Sequence, residues 1–231
     1  MALYTFESTN SPGRVAGDAL LVDTSYLIAF TDPQDIHHKA VDGFHIDALL
    51  AGADFFINVV VRHEFIQKLR YNYLIKTFRS MLRSDPSLEA RYRGVPGLPP
   101  GHWNNAQTTS RLILDCAEAI YKDYVRRGDA STLLANLNID LWTETQRLEH
   151  TASVTYFGAR GSSSWDDLGQ VIRQTGLSAT DAMIANFAED IQAAGILTTD
   201  CDYAQFSDVV DVYMPRSVAS TCTAHYDPAL D

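Results

Sequence analysis

Two short strand-like segments of this chain each run into an aspartate. Ala19–Val22 is followed by Asp23, and Ile196–Thr199 is followed by Asp200. A short apolar run is typical of a strand that is buried on both faces of a parallel sheet. Because helix-like patterns alternate with these segments, we expect an α/β fold with a mostly parallel central sheet flanked by helices.

Further strands and helices continue this alternation. Strands are also predicted at Leu3–Phe6, Asp54–Asn58, Ala152–Phe157 and Asp208–Tyr213. Helices are predicted at Thr24–Phe30, His37–Ala51, Val59–Leu82, 104–127, Trp165–Thr175 and from Ser178 onward. Ser178 is a favourable N-cap with Asp181 three residues later, and Gly195 is the predicted stop of that last helix.

The stretch from about residue 80 to 160 interrupts the alternation. Its first part, 84–103, is rich in proline and glycine and is predicted to be irregular. We interpret the chain as a single domain with two core halves, 18–79 and 163–215. The remainder is then a helical insertion at 80–160 and an N-terminal arm at 1–17.

Composition excludes several classes of protein. The chain has 231 residues, of which 46% are apolar and 20% charged, so global disorder is excluded. A net charge of −11 argues against unspecific coating of duplex DNA or of anionic membranes. We expect a soluble, cytoplasmic protein without a membrane partner, because no secretory signal and no bilayer-length apolar run occurs.

The cysteine count favours reduced thiols. Cys116, Cys201 and Cys222 are odd in number and include no CxxC pair. Neither a disulfide framework nor a zinc site is therefore predicted. The histidines His37, His38 and His45 are expected on the surface of a polar helix face rather than at a metal.

Four acidic residues are expected to converge at the carboxyl edge of the sheet. Asp23 and Asp200 follow strands, and Glu64 and Asp181 lie in the first turns of helices. Open α/β sheets bind ligands at this edge, where the strand order reverses. Converging carboxylates repel one another, and oxygen ligands without Cys or His suit Mg²⁺ or Mn²⁺. The hypothesis requires the four side chains to lie close enough to share an ion.

The acids stand in four motifs that, in this order, resemble those of the PIN-domain ribonuclease family. The motifs are Asp23-Thr24-Ser25 after a strand, Val60–Phe65 with Glu64, Leu177–Ala185 with Asp181, and Leu197–Tyr203 with Asp200 and Asp202. The resemblance covers about 18–79 and 163–215. It implies a PIN-like α/β fold into which the 80–160 stretch is inserted.

The resemblance also implies a metal-dependent endoribonuclease that hydrolyses RNA phosphodiester bonds. The catalytic residues and ligands of one or two Mg²⁺ or Mn²⁺ ions would be Asp23, Glu64, Asp181 and Asp200, with Asp202 as an outer ligand. Ser25 and Thr198 would hydrogen-bond the carboxylates or metal-bound waters. Many members of this family are toxins neutralised by a small antitoxin protein, and members commonly form homodimers. An antitoxin partner and a homodimer are therefore expected, while a role in RNA processing is equally open.

A basic stretch follows the second acidic motif. Between Arg62 and Arg93 there are eight Lys or Arg residues, three acids and several tyrosines. Such a stretch is suited to bind RNA phosphates and stack bases, although a solvated helix face has the same pattern. The candidate substrate contacts are Arg62, His63, Lys68 and Arg70.

Two other interpretations stay open. The chain could be a catalytically inactive PIN-like module that binds RNA or protein and retains the acids for structure. It could also be a phosphatase of the haloacid-dehalogenase type, which also places an aspartate after its first strand. That motif has a second aspartate where Ser25 stands, and it needs a lysine that residues 176–200 lack.

Overall fold

The computed structural model describes residues 2–7, 15–84, 121–123, 125–128, 131–156, 172–173, 177–206 and 210–222. The chain divides into two units. The first unit joins Met1–Phe65 to Glu144–Asp231, and the second is Ile66–Thr143. The first and last parts of the chain therefore build one unit together.

Among the described residues, six parallel strands form a single sheet in the first unit. Their order across the sheet is β1-β6-β5-β2-β3-β4, and each neighbouring pair is parallel. The strands are β1 (Leu3–Phe6), β2 (Ala19–Val22), β3 (Asp54–Ile57), β4 (Val154–Tyr156), β5 (Gly195–Leu197) and β6 (Val212–Pro215). The predicted α/β fold with a parallel central sheet flanked by helices is confirmed.

The helices among the described residues are α1 (Thr24–Thr31), α2 (His38–Leu50), α3 (Val59–Ser84), α4 (Ser131–Gln146), α5 (Ala179–Asp190) and α6 (Arg216–Ala219). Helices α1, α2, α3 and α5 begin within one residue of the predicted positions, whereas no helix start was predicted for α4 or α6. A π-helix at Arg147–Thr151 continues from α4, and a 3₁₀-helix at Cys201–Phe206 follows β5. The N-terminus of α5 confirms the predicted cap, since the Ser178 side chain accepts a hydrogen bond from the Asp181 N–H.

The central strand β2 explains why its apolar run is a strand. Leu20, Leu21 and Val22 have no exposed surface, because β3 and β5 flank the strand and helices cover both faces. Removing such a side chain from water contributes roughly 1.5–3 kcal/mol. The neighbouring strands place Phe56 and Ile196 beside Leu21.

The end of α5 differs from the prediction. The helix ends at Asp190, and Gln192 takes the left-handed backbone conformation with a φ of 54°. Gly195, predicted as the stop, is instead the first residue of β5. A Cβ at this position would lie 2.7 Å from the carbonyl oxygen of Asp211, so the close approach of β5 to β6 requires glycine.

The sheet includes residues outside the predicted core halves. Strand β1 lies in the predicted N-terminal arm and pairs with β6, while β4 lies in the predicted insertion and pairs with β3. Strand β6 begins four residues after the predicted Asp208, with 207–209 outside the described residues. The single-domain division itself stays a prediction.

The described parts of the second unit are helical. They comprise the part of α3 from Ile66 on, residues 121–123 and 125–127, and α4 up to Thr143. Leu74 and Leu137 are its buried apolar residues among those described. The predicted irregular segment after Ser84 and most of the helices predicted at 104–127 and 165–175 lie outside the described residues.

A disulfide joins Cys201 to Cys222, with 5.3 Å between the Cα atoms. The prediction of reduced thiols is wrong for this pair. The two cysteines are 21 residues apart and meet because β5 and β6 are neighbours in the sheet. A pairing of this kind depends on the fold and leaves no local spacing signal. Cys116 lies outside the described residues.

Within the described parts of the chain, no helix is both long enough and apolar enough to cross a membrane.

Candidate active site

Asp23 lies where the order of the strands reverses. From β2 the chain continues to β3 and β4 on one side, and it returns to β5 on the other side. Asp23 directly follows β2 and is the N-cap of α1, and its N–H donates to the carbonyl of Leu197 at 2.9 Å. Its side chain is only 4% exposed. This is the position at which open parallel sheets bind ligands.

Two hydroxyl groups bind the Asp23 carboxylate. Oδ2 accepts from the hydroxyl of Ser25 at 2.6 Å and from that of Thr198 at 3.0 Å, and the N–H of Ser25 lies 3.2 Å from the same oxygen. Ser25 Oγ accepts from the N–H of Thr199, and Thr198 Oγ1 from that of Asp200, each at 2.9 Å. The segment after β5 is therefore tied to Asp23 through these hydroxyls.

Burial controls the charge of Asp23. Loss of solvation raises its pKa from 3.8 to about 6, although the hydrogen bonds from Ser25, Thr198 and the backbone act in the opposite direction. The pKa rise caused by desolvation is larger than the lowering caused by the hydrogen bonds. No cationic side chain is among the groups that act on this carboxylate, so nothing else offsets the rise. Asp23 therefore loses its proton only near pH 6, and above that pH its buried charge favours an external cation.

Glu64 is held by a hydroxyl at the start of α1. The hydroxyl of Thr24, at the first position of α1, donates to Oε2 of Glu64 at 2.7 Å. Glu64 lies in the second turn of α3 and is half-buried. Our sequence reasoning did not single out Thr24, although it stands between Asp23 and Ser25 in the first motif.

Asp181 is held by the residue that caps its own helix. Its Oδ2 accepts from the hydroxyl of Ser178 at 2.6 Å, and its N–H donates back to Ser178 Oγ at 3.2 Å. The N-terminus of α5 also favours a negative charge at this position through the helix dipole. Asp181 is thus fixed in the first turn of α5.

Asp200 begins the turn that follows β5. Its Oδ1 accepts from the N–H of Asp202 at 3.0 Å. The Asp202 side chain is exposed, and its residue belongs to the 3₁₀-helix Cys201–Phe206. The backbone N–H of Asp202 therefore orients the Asp200 carboxylate, and the Asp202 carboxylate takes no part in this contact.

Tyr203 lies beside Asp181 and is influenced by the charges of all four motif acids. It is fully buried, and its hydroxyl lies 3.4 Å from Oδ1 of Asp181. Desolvation raises its pKa far above the ordinary value, and the nearby negative charges add to this rise. Those charges belong, in order of effect, to Asp23, Asp181, Asp200 and Glu64. Sequence reasoning included Tyr203 only as the end of the last motif.

The acidic side chains of the candidate site are not arranged to coordinate one metal ion together. Among the described residues, no three His, Cys, Asp or Glu side chains are close enough together to hold one ion. Glu64 and Asp181 instead bind the hydroxyls of Thr24 and Ser178. The donor chemistry fits Mg²⁺ or Mn²⁺, since every candidate ligand is a carboxylate. That these residues are ligands stays a prediction.

The four predicted substrate contacts divide between the two units. Arg62 and His63 are exposed and belong to the first unit, which carries the acids. Lys68 and Arg70 belong to the second unit, where Arg70 lies 5.1 Å from the ring centroid of Tyr121. Their role in binding substrate stays a prediction.

Comparison with protein-family models and with curated proteins gives no match. No protein-family model and no curated protein is similar to this chain. Any function must therefore be argued from the arrangement of the residues themselves.

Proposed function

We propose that this protein is a metal-dependent endoribonuclease of the PIN type. The observation that carries the proposal is a set of hydrogen bonds at the reversal of strand order. Thr198 donates to Asp23 and accepts from the N–H of Asp200, Thr24 donates to Glu64, and Tyr203 donates to Asp181. These bonds hold acids that are far apart in the sequence at one edge of the sheet. Such an arrangement carries repulsion that a divalent cation relieves.

The donor set defines what could be bound. Asp23, Glu64, Asp181 and Asp200 would hold Mg²⁺ or Mn²⁺, with Asp202 as an outer ligand. Such an ion activates water and stabilises the charge of a phosphodiester during hydrolysis. The protein contributes the positions of its carboxylates: Ser25 and Thr198 fix Asp23, and the backbone of Asp202 fixes Asp200.

Two carboxylates of the site are oriented by neighbouring hydroxyls. Glu64 and Asp181 each have an oxygen bound to a hydroxyl, from Thr24 and Ser178. A carboxylate that accepts one hydrogen bond keeps further lone pairs, so both acids could still coordinate an ion.

The experiment compares RNA cleavage with and without Mn²⁺. Purified protein is incubated with total RNA, and the ends produced are mapped for the wild type and for Asp23→Asn and Asp181→Asn. The matched control is Asp190→Asn, an exposed acid at the opposite end of α5 from Asp181. Cleavage that requires Mn²⁺ and both site aspartates but not Asp190 supports the proposal. Ends that depend on neither the metal nor Asp181 reject it.

An inactive module is the second candidate. It is favoured by the hydroxyl partners of Glu64 and Asp181 and by the lack of a finished ion site among the described residues. On this alternative, Asp23→Asn changes neither RNA ends nor RNA binding. A haloacid-dehalogenase type of phosphatase has less support, because Ser25 stands where a second aspartate is needed and binds Asp23 instead.

The biological setting belongs to the proposal as well. A toxin with a small antitoxin protein and a homodimer are what the PIN resemblance implies, whereas the cytoplasmic location was expected because no secretory signal and no bilayer-length apolar run occurs. The Cys201–Cys222 disulfide bears on the location, since such bonds persist in oxidising compartments. Counting free thiols in protein purified without reductant tests this: a cytoplasmic protein is expected to show all three thiols.

A further inference from the structure

Arg62 lies over the ring of Tyr156, with 4.5 Å between the guanidinium carbon and the ring centroid. Tyr156 is the last residue of β4, opposite Ile57 at the end of β3. Arg62 lies in the first turn of α3, which begins directly after β3, and its N–H donates to the carbonyl of Asn58. The pair therefore stands at the carboxyl edge of the sheet, the edge that also carries Asp23.

The pair lies close to the acidic site along this edge. Strand β4 is separated from β2 only by β3. Neighbouring strands are about 4.8 Å apart, so the ends of β2 and β4 are about 10 Å apart. Glu64, two residues after Arg62, reaches Thr24 at the start of α1. One helical turn of α3 thus connects the pair to the acids.

Arg62 is available to an external anion. Its side chain is exposed, and no carboxylate among the described residues forms an ion pair with it. In contrast, three other described arginines, Arg127, Arg147 and Arg216, are each paired with a carboxylate.

Stacking on an aromatic ring leaves the binding groups of an arginine free. The ring covers one face of the guanidinium, while its N–H donors point outward in the plane and can bind a phosphate. The opposite face can stack on an unpaired base. Holding the guanidinium in place beforehand also reduces the entropy lost on binding.

We propose that Arg62 and Tyr156 form a binding site for single-stranded RNA, in which Arg62 binds a phosphate and stacks on a base while Tyr156 positions Arg62. This inference rests on the proposed function, because the acids beside the pair would act on the same strand. An unpaired strand is required because the bases of a duplex are stacked on one another.

The test measures binding without cleavage. A fluorescent single-stranded RNA is titrated in EDTA over a range of salt concentrations, and its anisotropy is recorded. The variants are Arg62→Ala, Tyr156→Ala, Tyr156→Phe and the Arg62/Tyr156 double alanine. The control is Arg147→Ala, which removes the same charge and a similar contact with Phe30 elsewhere in the first unit. Thermal melting shows that each variant is folded.

The proposal gives a different result for each variant. Arg62→Ala is expected to lower affinity about tenfold and to reduce the salt slope by about 0.7, the value of one phosphate contact on a single strand. Tyr156→Ala is expected to weaken binding several-fold, and Tyr156→Phe to restore it, because the ring alone positions the arginine. The double variant is expected to bind like Arg62→Ala, and Arg147→Ala like the wild type.

Failure of this inference can be separated from failure of the proposed function. If Arg62→Ala and Arg147→Ala bind RNA equally, or if Tyr156→Phe behaves like Tyr156→Ala, the binding site is rejected even where Mn²⁺-dependent cleavage occurs. If the variants change binding as expected while no metal-dependent cleavage is found, the RNA site stands and the nuclease assignment falls.

Discussion

The hydroxyl of Thr24 donates a 2.7 Å hydrogen bond to Oε2 of Glu64 and thereby links the start of α1 to the second turn of α3. Thr24 directly follows Asp23, whose carboxylate is bound by Ser25 and Thr198. The tripeptide Asp23-Thr24-Ser25 therefore supplies one acid and two hydroxyls. The Ser25 hydroxyl binds Asp23, and the Thr24 hydroxyl binds Glu64. The spacing of two carboxylates in the candidate site is set by this one tripeptide.

Removing the Thr24 hydroxyl is expected to release Glu64. Thr24→Val keeps the shape of the side chain but leaves the half-buried carboxylate without this donor, which costs about 1 kcal/mol of stability. Thr24→Ser keeps the donor and is expected to resemble the wild type. Urea unfolding and Mn²⁺-dependent RNA cleavage measure both effects. Equal stability and activity of the Val and Ser variants would show that the bond does not position Glu64.

The raised pKa of Asp23 predicts a pH-dependent gain of stability in Asp23→Asn. A carboxyl whose pKa rises from 3.8 to about 6 on folding contributes stability below about pH 4, and this contribution is lost as the pH rises through 6. The full loss amounts to about 3 kcal/mol. Without divalent ions, Asp23→Asn is therefore expected to be more stable than the wild type at pH 7.5 and equally stable near pH 3.8.

Chemical unfolding in EDTA between pH 3.8 and 7.5 checks this prediction. The control is Asp54→Asn, since Asp54 is an exposed residue at the opposite edge of the sheet. The difference in unfolding free energy between Asp23→Asn and the wild type is expected to grow with pH, whereas the difference between Asp54→Asn and the wild type is expected to stay constant. A variant that is less stable at pH 7.5 would identify Asp23 as a structural aspartate.

The alternation of short apolar runs and amphipathic segments is enough to predict most of the fold. It was sufficient for β2, β3 and β5, and for α2 and α3, because these elements follow from local periodicity and burial. The same reasoning missed the helix end at Gln192, whose left-handed backbone is adopted without glycine. It also missed the Cys201–Cys222 bond, since the meeting of β5 and β6 is not visible in local sequence.

The candidate site shows the same division. The acids were found because each stands directly after a strand or near the start of a helix, although Glu64 lies in the second turn of α3 and not in the predicted first turn. The partners that hold two of them, Thr24 for Glu64 and Ser178 for Asp181, depend on side-chain rotamers. His45 was expected on the surface but is buried, because α2 turns the face with Val41 and His45 toward the sheet.

His45 is expected to make the protein sensitive to acid. Its Nε2 lies 2.8 Å from the carbonyl oxygen of Ala152, and its ring stacks on Phe55. Because a carbonyl only accepts, Nε2 carries the proton of the neutral ring. Burial lowers the pKa of His45 below 6.5, with the charge of Arg147 acting in the same direction. Its contribution to stability is therefore present above about pH 6.5 and is lost as the pH falls through the lowered value.

His45→Phe separates this effect from that of Asp23. The variant keeps the ring but leaves the Ala152 carbonyl without its donor, so a loss of about 1–3 kcal/mol is expected at pH 7.5. As the pH falls, the difference from the wild type is expected to shrink, because only the wild type must protonate a buried imidazole. Urea unfolding is measured in the Asp23→Asn background, because the titration of Asp23 changes the stability with pH in the opposite direction. A difference that does not change with pH would contradict the lowered pKa.

Addition of Mn²⁺ is expected to raise the melting temperature through the carboxylates. An ion that binds only the folded state stabilises it by about 2.7 kcal/mol at a hundredfold excess over its dissociation constant. The rise is expected to be largest above pH 6, where Asp23 loses its proton, and to disappear in Asp23→Asn and Asp181→Asn. Asp190→Asn, on the same helix as Asp181, is expected to melt and respond like the wild type. If Mn²⁺ raises the melting temperature equally in the wild type and in the three variants, the ion binds elsewhere on this acidic chain. The motif acids are then not its ligands.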